Sequence, residues 1–375
     1  MKAMLLCLGL MVASPAWAQS RVVMRGGQAA GEALAVSEQG VTVSRGGGTA
    51  VVSWDRVAEV QGELAAEAAP YRELADMLWR ARARVERGDG VGAERLFEVL
   101  ATRFAGQRGA SAAVAHGGLL RCRLMAGAQT GAAAAWLAYV NAVGDGEPAQ
   151  LALPSVDSAV LGAVAVDGVT QLAPMAPPVW VESAAVQALA RGAWPLSEGG
   201  AREKALRLQA LYREAARFEV GLPVTLPEGE EKDEGVALVR DVVTARVGDE
   251  AQRGAARRAL AARLKKRPAA WVEVWCRVGV GRSLLREAGR DEQLLGVNEL
   301  LEVAARLERV NPYLTGVALA EAAAALHRLG DVPGATRVRN DMLERFSGHP
   351  AQEWGGLRWV PAAPGGESGN KGGST

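Results

Sequence analysis

A six-residue pattern that occurs twice limits most strongly how this chain can fold. Gly88-Asp89-x-x-Gly92-Ala93 is followed by Leu96, Leu100 and Phe104, and Gly330-Asp331-x-x-Gly334-Ala335 is followed by Val338, Met342 and Phe346. Glycine beside aspartate is typical of a helix end and a tight turn, so each copy predicts a hairpin of two helices. Internal repetition of this kind indicates units that stack and share one apolar core.

Apolar residues at helical spacing flank both turns. They are Leu74, Leu78, Ala81 and Val85 before the first turn, and Leu319, Ala322, Ala323 and Leu326 before the second. Each set lines one face of a helix. Between the copies the helical signal continues without a readable repeat and predicts helices over 111–125, 131–143, 181–191, 201–220, 233–246, 249–267, 269–287 and 292–309.

The two hairpins together resemble the tetratricopeptide repeat, in which a small residue lies early in the second helix. Ala93 and Ala335 take that place. The match covers two units of roughly 34 residues each. It is degenerate, because no proline closes the unit after Phe104, and Leu100 and Met342 replace a usual alanine. The resemblance implies a right-handed α-solenoid, which we expect over residues 63–146 and 181–360.

Residues 19–62 differ from the rest and predict a small β module, either a meander or an SH3-like barrel. Short β-branched runs are separated by glycine turns, where glycine reaches positive φ without steric cost. The runs are Val22-Val23-Met24, Ala33-Leu34-Ala35-Val36, Val41-Thr42-Val43 and Ala50-Val51-Val52-Ser53-Trp54. They predict four strands.

Residues 147–180 interrupt the helical pattern. Five prolines rule out a continuous helix there: Pro148, Pro154, Pro174, Pro177 and Pro178. We interpret the segment as an irregular excursion packed against the solenoid, with a β-branched run over residues 160–169 that also fits a short strand pair. Residues 361–375 are rich in Gly and Ser and predict a disordered tail.

The first 18 residues read as a secretory signal peptide. A single lysine, Lys2, precedes a short apolar run, and Ala16-Trp17-Ala18 fits a cleavage site. The run is shorter than the roughly 20 residues that cross a bilayer. We therefore expect an exported protein, periplasmic or secreted, with no transmembrane segment after cleavage.

Composition bounds the partners and the redox chemistry. The formal net charge is +1, which argues against bulk binding of nucleic acid. Export removes Cys7 and leaves Cys122 and Cys276, which an oxidising compartment would allow to pair. Their apolar helical surroundings favour two separate buried thiols, and a disulfide remains the alternative.

Motifs of catalysis or cofactor binding are not evident in the sequence. The three histidines, His116, His327 and His349, have no partners at metal-ligand spacing. Gly279-Val280-Gly281-Arg282-Ser283 resembles a fragment of a dinucleotide loop, but it lacks the third glycine and we interpret it as a helix bend or break. The sequence therefore predicts no catalytic residues, no metal and no cofactor.

Two groups of residues are candidates for binding a partner. The chain has ten tryptophans, and Trp180, Trp194 and Trp354 lie beside proline or glycine in predicted loops, where exposed rings could anchor a peptide or stack on a sugar. Filling gaps between helices is the other explanation for them. Arg253 and Arg257 belong to a basic stretch that could hold an anionic partner, or could complement a helix dipole.

The favoured function is that of an exported protein-binding scaffold, not an enzyme, whose helical groove accepts a peptide or another protein, for example in cell-envelope assembly. Two alternatives remain. One is a hydrolase acting on envelope material near the proline-rich excursion. The other is a purely structural module of a larger assembly. A shallow groove lined by small residues and arginine would favour the scaffold, and a deep pocket with paired carboxylates or a perturbed histidine would favour the hydrolase.

Overall fold

The computed structural model describes residues 20–143 and 166–361, apart from positions 193, 198 and 230. The predicted signal peptide (1–18), the first part of the proline-rich segment (147–165) and nearly all of the predicted tail (362–375) lie outside the described residues. The prediction of a mainly helical chain with a small β module in front is confirmed. The chain divides into two compact units, residues up to 79 and residues from 80 onward.

The N-terminal unit contains an antiparallel sheet of five strands in the order β4-β3-β2-β1-β5. The strands are β1 (Arg21–Met24), β2 (Ala29–Ser37), β3 (Gly40–Arg45), β4 (Gly48–Val52) and β5 (Val57–Gln61). The prediction of four strands was therefore incomplete. β5 was missed because only Val57 and Val60 of its five residues are buried, which leaves too little alternation to read.

Trp54 closes the core of this sheet from a short 3₁₀ turn between β4 and β5. Its indole N–H donates to the carbonyl of Ser37 at 3.0 Å, and its ring stacks on Tyr71 at 5.2 Å between centroids. Gly40 opens β3 with φ +137°, and a Cβ there would lie 2.1 Å from the Val52 carbonyl oxygen. This glycine is required by the close approach of the β4 end.

The remainder of the described chain is mainly helical. The helices are α1 (Ala65–Ala68), α2 (Arg72–Glu86), α3 (Gly90–Arg103), α4 (Ala110–Met125), α5 (Gln129–Val143), α6 (Ala184–Arg191), α7 (Glu203–Glu219), α8 (Glu234–Val247), α9 (Glu250–Lys265), α10 (Ala270–Leu284), α11 (Arg290–Arg306), α12 (Pro312–Arg328) and α13 (Val332–Arg345). Each helix predicted between the two Gly-Asp copies is present, with its ends shifted by no more than three residues. No helix in the described residues has both the length and the apolar character needed to cross a membrane.

The two Gly-Asp turns have the same geometry. Gly88 and Gly330 have φ of +80° and +87°, which glycine adopts without strain. The next residue, Asp89 or Asp331, returns its N–H to a carbonyl five residues earlier, at 2.9 and 3.0 Å. The same aspartate then caps the second helix by accepting from Gly92 or Gly334 at 2.9 Å in both turns.

A third turn of this kind joins α4 to α5 and was not recognised in the sequence. Gly127 has φ +69°, and the N–H of Ala128 bonds the carbonyl of Arg123, again five residues back, at 2.8 Å. The spacing Gly127-Ala128-x-x-Gly131-Ala132 is that of the other two turns. It was hidden because alanine replaces the capping aspartate, so α5 begins without a side-chain cap from position 128.

The Gly279-Val280-Gly281 sequence lies inside α10 and does not break it, which corrects the expectation of a helix bend or break. Its glycines allow close helix packing. A Cβ on Gly281 would lie 2.8 Å from the Leu300 side chain and 3.0 Å from the carbonyl oxygen of Gly296. Helices α10 and α11 can therefore approach each other closely because Gly281 on α10 and Gly296 on α11 both lack a side chain.

Helices that follow one another in the chain pack together through most of the C-terminal unit. In addition, α5 contacts α7, α8 contacts α10, and α10 contacts α12. α12 is buried along nearly its whole length, from Tyr313 to Leu326. This helix is therefore enclosed by the elements packed around it.

Candidate functional site

Residues 171–181 form the most unusual feature of the C-terminal unit, because this stretch has no regular secondary structure and is nevertheless buried. Leu172, Ala173, Ala176, Val179 and Trp180 are each at most 1% exposed. The predicted excursion packed against the helices is thus enclosed by them from Leu172 onward, whereas Gly168 and Val169 are exposed. We call residues 174–181 the buried proline segment.

Side chains from four helices bind the main-chain carbonyls of this stretch. Trp136 on α5 donates to Gln171 at 3.1 Å, and Tyr212 on α7 donates its hydroxyl to Ala176 at 2.7 Å. Trp275 on α10 and Asn311, at the N-cap of α12, both donate to the Pro174 oxygen at 3.0 Å. Tyr313 on α12 donates to Val179 at 2.9 Å, and Arg282 on α10 donates to Trp180 at 2.8 Å. These six residues, Trp136, Tyr212, Trp275, Arg282, Asn311 and Tyr313, define the central groove.

These donors have a clear physical purpose. A buried carbonyl without a hydrogen-bond partner costs roughly 1–3 kcal/mol, and an irregular segment has no ladder to satisfy it. Burial raises the pKa of the Tyr212 hydroxyl, and it raises that of Tyr313 too, so both phenols remain protonated donors. The hydrogen bonds of the central groove therefore all go to main-chain carbonyls, and the ring of Trp180 adds a side-chain contact with Tyr212.

A buried ionic cluster lies at the Trp180 end of the segment. Arg282 is 2% exposed and contacts Glu321 at 2.8 Å and Glu219 at 3.0 Å. Burial alone would raise the pKa of Glu219, but Arg246 and Arg282 outweigh it and hold that pKa below its usual value. Burial also opposes the charge of Arg282, and the carboxylates of Glu321 and Glu219 raise its pKa instead. Both carboxylates are thus engaged by arginine, and the lowered pKa of Glu219 keeps that group ionised at neutral pH.

A separate groove lies between α3, α4 and α5, with a cavity volume of about 410 Å³. We call it the α3–α5 groove. Its lining is mostly small: Ala101, Ala105, Gly106, Ala134, Ala135 and Ala138, with Pro195 at one side. Arg123 reaches it from α4 and lies 3.5 Å from both Glu94 and Glu98.

His116 also lines the α3–α5 groove, and it is only 4% exposed. Burial lowers the pKa of its imidazole, against a weak hydrogen bond to the Phe104 carbonyl at 3.4 Å. The ring is therefore neutral at pH 7. Among the described residues, no group of three or more His, Cys, Asp or Glu side chains could hold a metal ion.

Cys122 and Cys276 are free and buried, as expected for two separate thiols. Burial raises the pKa of Cys122 and of Cys276 to about 12, so neither is a thiolate at neutral pH. They act as small apolar residues of the helical core.

The predicted tryptophan candidates do not form one surface. Trp180 is 1% exposed, so the expectation that it lies in an exposed loop is wrong. Its ring meets Tyr212 edge-on at 5.8 Å, inside the helical unit. Trp194 and Trp354 are half-buried. The most exposed ring in the described part of the chain is Trp359, at 77%, which the candidate set did not include.

The predicted arginine candidates are engaged within the protein. Arg253 is 8% exposed and lies 3.3 Å from Glu287, and Arg257 binds the same carboxylate and the Ser283 hydroxyl. Burial opposes ionisation of Glu287, but Arg257 and Arg253 keep its pKa below the usual value. The two arginines therefore stabilise the α9–α10 packing, and the expectation of a free anion site there is not supported by their geometry.

Sequence reasoning missed both grooves. The central groove is assembled from residues up to 137 positions away from the carbonyl they bind, so no local pattern marks it. The α3–α5 groove does have a signal in the sequence. The run Ala132-Ala133-Ala134-Ala135 on α5 supplies small side chains on one side of the groove.

Comparison with known proteins adds no assignment: no family model, no curated protein and no solved structure matches this chain.

Proposed function

We propose that this protein is an exported helical-repeat scaffold that binds a segment of a protein partner in the α3–α5 groove. The observation that carries this proposal is the lining of the groove. Alanine and glycine make up half of its lining, so a partner can approach the helix backbones closely there, and Glu98, Thr102 and Arg123 offer polar contacts. The cavity of about 410 Å³ suits one or two anchoring side chains rather than a whole domain.

The repeat character of the helical unit supports the same proposal. Three turns share one geometry at Gly88, Gly127 and Gly330, and alternate helices contact each other along part of the array. Such contacts are what stacked hairpins produce. A right-handed, tetratricopeptide-like solenoid is the arrangement we propose for these helices. For the N-terminal unit we propose an SH3-like barrel, on the strand order and the 3₁₀ turn before β5.

Export rests on the sequence of residues 1–18, and we propose a periplasmic or secreted location. An envelope context would place the scaffold among proteins that assemble there. No cofactor or metal enters this proposal.

The hydrolase alternative gains less support from the geometry near Trp180. Two carboxylates, Glu219 and Glu321, do converge there, but both bind Arg282 in a solid interior filled by the proline segment. A general acid or base needs access to substrate, and both carboxylates of this pair are buried. The perturbed His116 lies instead in the α3–α5 groove, among alanines.

Site-specific photo-crosslinking tests the scaffold proposal. A photoreactive residue replaces Ala105 in the groove, and the matched control carries it at Ala255 on the exposed face of α9. The proposal expects a partner segment crosslinked from envelope extract at Ala105 and not at Ala255. The identified segment, made as a peptide, should then bind wild type at least tenfold more tightly than an Ala101→Trp variant that fills the groove.

Equal crosslinking at both positions, or equal binding by wild type and Ala101→Trp, would show that the groove is not the partner site. Hydrolysis of a glycan or ester panel by the purified protein, reduced by substitution of His116, would favour the enzyme instead.

A further inference from the structure

The buried proline segment resembles a bound peptide more than a connecting loop. Connections usually run over the surface because their backbone polar groups need water. Here the carbonyls of Pro174, Ala176, Val179 and Trp180 are each satisfied by a side chain from a helix. The chain has therefore built a binding groove for one of its own irregular segments.

The chemistry of the contacts is that of proline-rich peptide recognition. Pro174 and Pro177 are spaced Pro-x-x-Pro, and each proline fixes φ at about −65°. Grooves that bind such peptides are lined by aromatic rings whose polar ends donate to peptide carbonyls. The central groove supplies two indoles and two phenols in this way, from Trp136, Trp275, Tyr212 and Tyr313.

The segment begins and ends at local structures of its own. Upstream, the Asp167 carboxylate accepts from the Thr170 N–H at 2.8 Å and the Thr170 hydroxyl at 2.7 Å. Gln171 follows with φ +59°, which turns the chain into the groove. Downstream, Ser183 caps α6 by accepting from Val186 at 3.3 Å. Both ends can persist whether or not the segment between them is bound.

The walls of the groove also contact each other without the segment. α5 packs on α7, and α10 packs on both α8 and α12. Trp136 meets Tyr212 at 5.1 Å between ring centroids. Removal of the segment from the groove therefore leaves helices that still have partners.

We propose that residues 174–181 are an intramolecular ligand occupying a peptide-binding groove of the helical unit. The groove is closed by the chain itself, and it opens to an outside peptide only when this segment is released. The partner that fits is a Pro-x-x-Pro peptide that turns at its first proline, as this segment does where the Ala176 N–H bonds the Ala173 carbonyl at 2.9 Å, and that carries an apolar aromatic anchor three residues after its second proline, the chemistry of Pro174 to Trp180. The inference does not depend on the α3–α5 groove, and its test leaves that groove untouched.

Thiol labelling of the full-length protein tests release of the segment. Ala176→Cys places a thiol in the segment, and the native Cys276 on α10 and Cys122 on α4 serve as internal controls because both are buried. The proposal expects Cys at 176 to react at least tenfold faster than either control under native conditions, with unchanged helical circular dichroism. Reaction of all three thiols at one rate would show that the segment opens only with the whole unit, and would overturn the proposal.

A competing peptide tests whether the groove binds an outside ligand. A synthetic peptide of residues 170–183 should bind the opened groove and accelerate labelling of Ala176→Cys at least tenfold at saturation. The control peptide carries alanine in place of Pro177 and Trp180 and should have no effect. Absence of acceleration by the native peptide, or equal acceleration by the control, would identify the segment as ordinary core. Should Ala176→Cys fold poorly, Met175→Cys at the edge of the segment repeats both measurements.

Discussion

Replacing Arg282 by methionine is the sharpest test of how the C-terminal unit is held together. Arg282 joins three elements at once. Its guanidinium binds Glu321 on α12, Glu219 at the end of α7, and the Trp180 carbonyl of the buried proline segment. Methionine keeps much of the side-chain volume and removes the charge and every hydrogen bond.

The expected loss of stability follows from the ion pairs that Glu219 and Glu321 keep after the substitution. Glu219 keeps Arg246, with contacts at 3.0 and 3.2 Å. Glu321 keeps only Arg246 at 3.7 Å, and its second oxygen already has no hydrogen-bond partner among the described residues. Glu321 is thus left as a nearly isolated buried carboxylate. Breaking one partner from such a buried pair costs about 3–5 kcal/mol.

Urea unfolding at pH 7, followed by fluorescence and circular dichroism, measures this loss. Arg282→Met should lower the free energy of unfolding by about 3–5 kcal/mol, and a second change, Glu321→Leu, should recover about 2 kcal/mol of it. The control is Arg306→Met, which removes an exposed pair with Glu302 at 3.0 Å and should cost about 0.5 kcal/mol or less. A loss below about 1 kcal/mol for Arg282→Met, or no recovery in the double variant, would refute this reasoning.

The pH dependence gives an independent check. In the wild type the folded pKa of Glu219 is lowered, so its contribution is present above the unfolded value of 4.5 and lost as the pH falls through the folded value. Without Arg282 the pKa of Glu219 rises, because burial is then opposed by Arg246 alone. The stability difference between wild type and Arg282→Met should therefore narrow below about pH 4.5.

Three further predictions use thermal or urea unfolding. Asp331→Ala removes the cap of α13 and should lower the free energy of unfolding by about 1 kcal/mol. Ala128→Asp supplies the missing cap of α5 and should raise that free energy by about 0.5–1 kcal/mol. A loss of stability in Ala128→Asp would contradict the shared turn geometry. Gly281→Ala should cost about 1–3 kcal/mol by steric overlap. Gly254→Ala on α9, where a Cβ would make only ordinary contacts with the ends of the Arg258 and Arg257 side chains, should be neutral or stabilising. Burial lowers the folded pKa of His349, so the free energy of unfolding should fall as the pH drops below 6.5. His349→Asn should flatten that decline. The same pH profile in wild type and variant would contradict this role of His349.

The sequence by itself determined the helices and the turns that join them. The spacing of Leu74 and Leu78, or of Ala322 and Leu326, is a local property of the chain and marks a helix face wherever the helix lies. Gly88 and Gly330 act locally too, since a positive φ is a property of one residue. The helix faces and the glycine turns could therefore be predicted without knowledge of the tertiary contacts.

Only the tertiary structure decided where residues 171–181 lie. The sequence shows that three prolines prevent a helix there, but a non-helical segment can be exposed or enclosed, and its own residues do not say which. Its carbonyls are satisfied by side chains such as Trp275 and Asn311, more than 100 residues away. Burial of Trp180 follows from those distant contacts. A local pattern carries no information about them, because the free energy that holds the segment is that of the assembled helices around it.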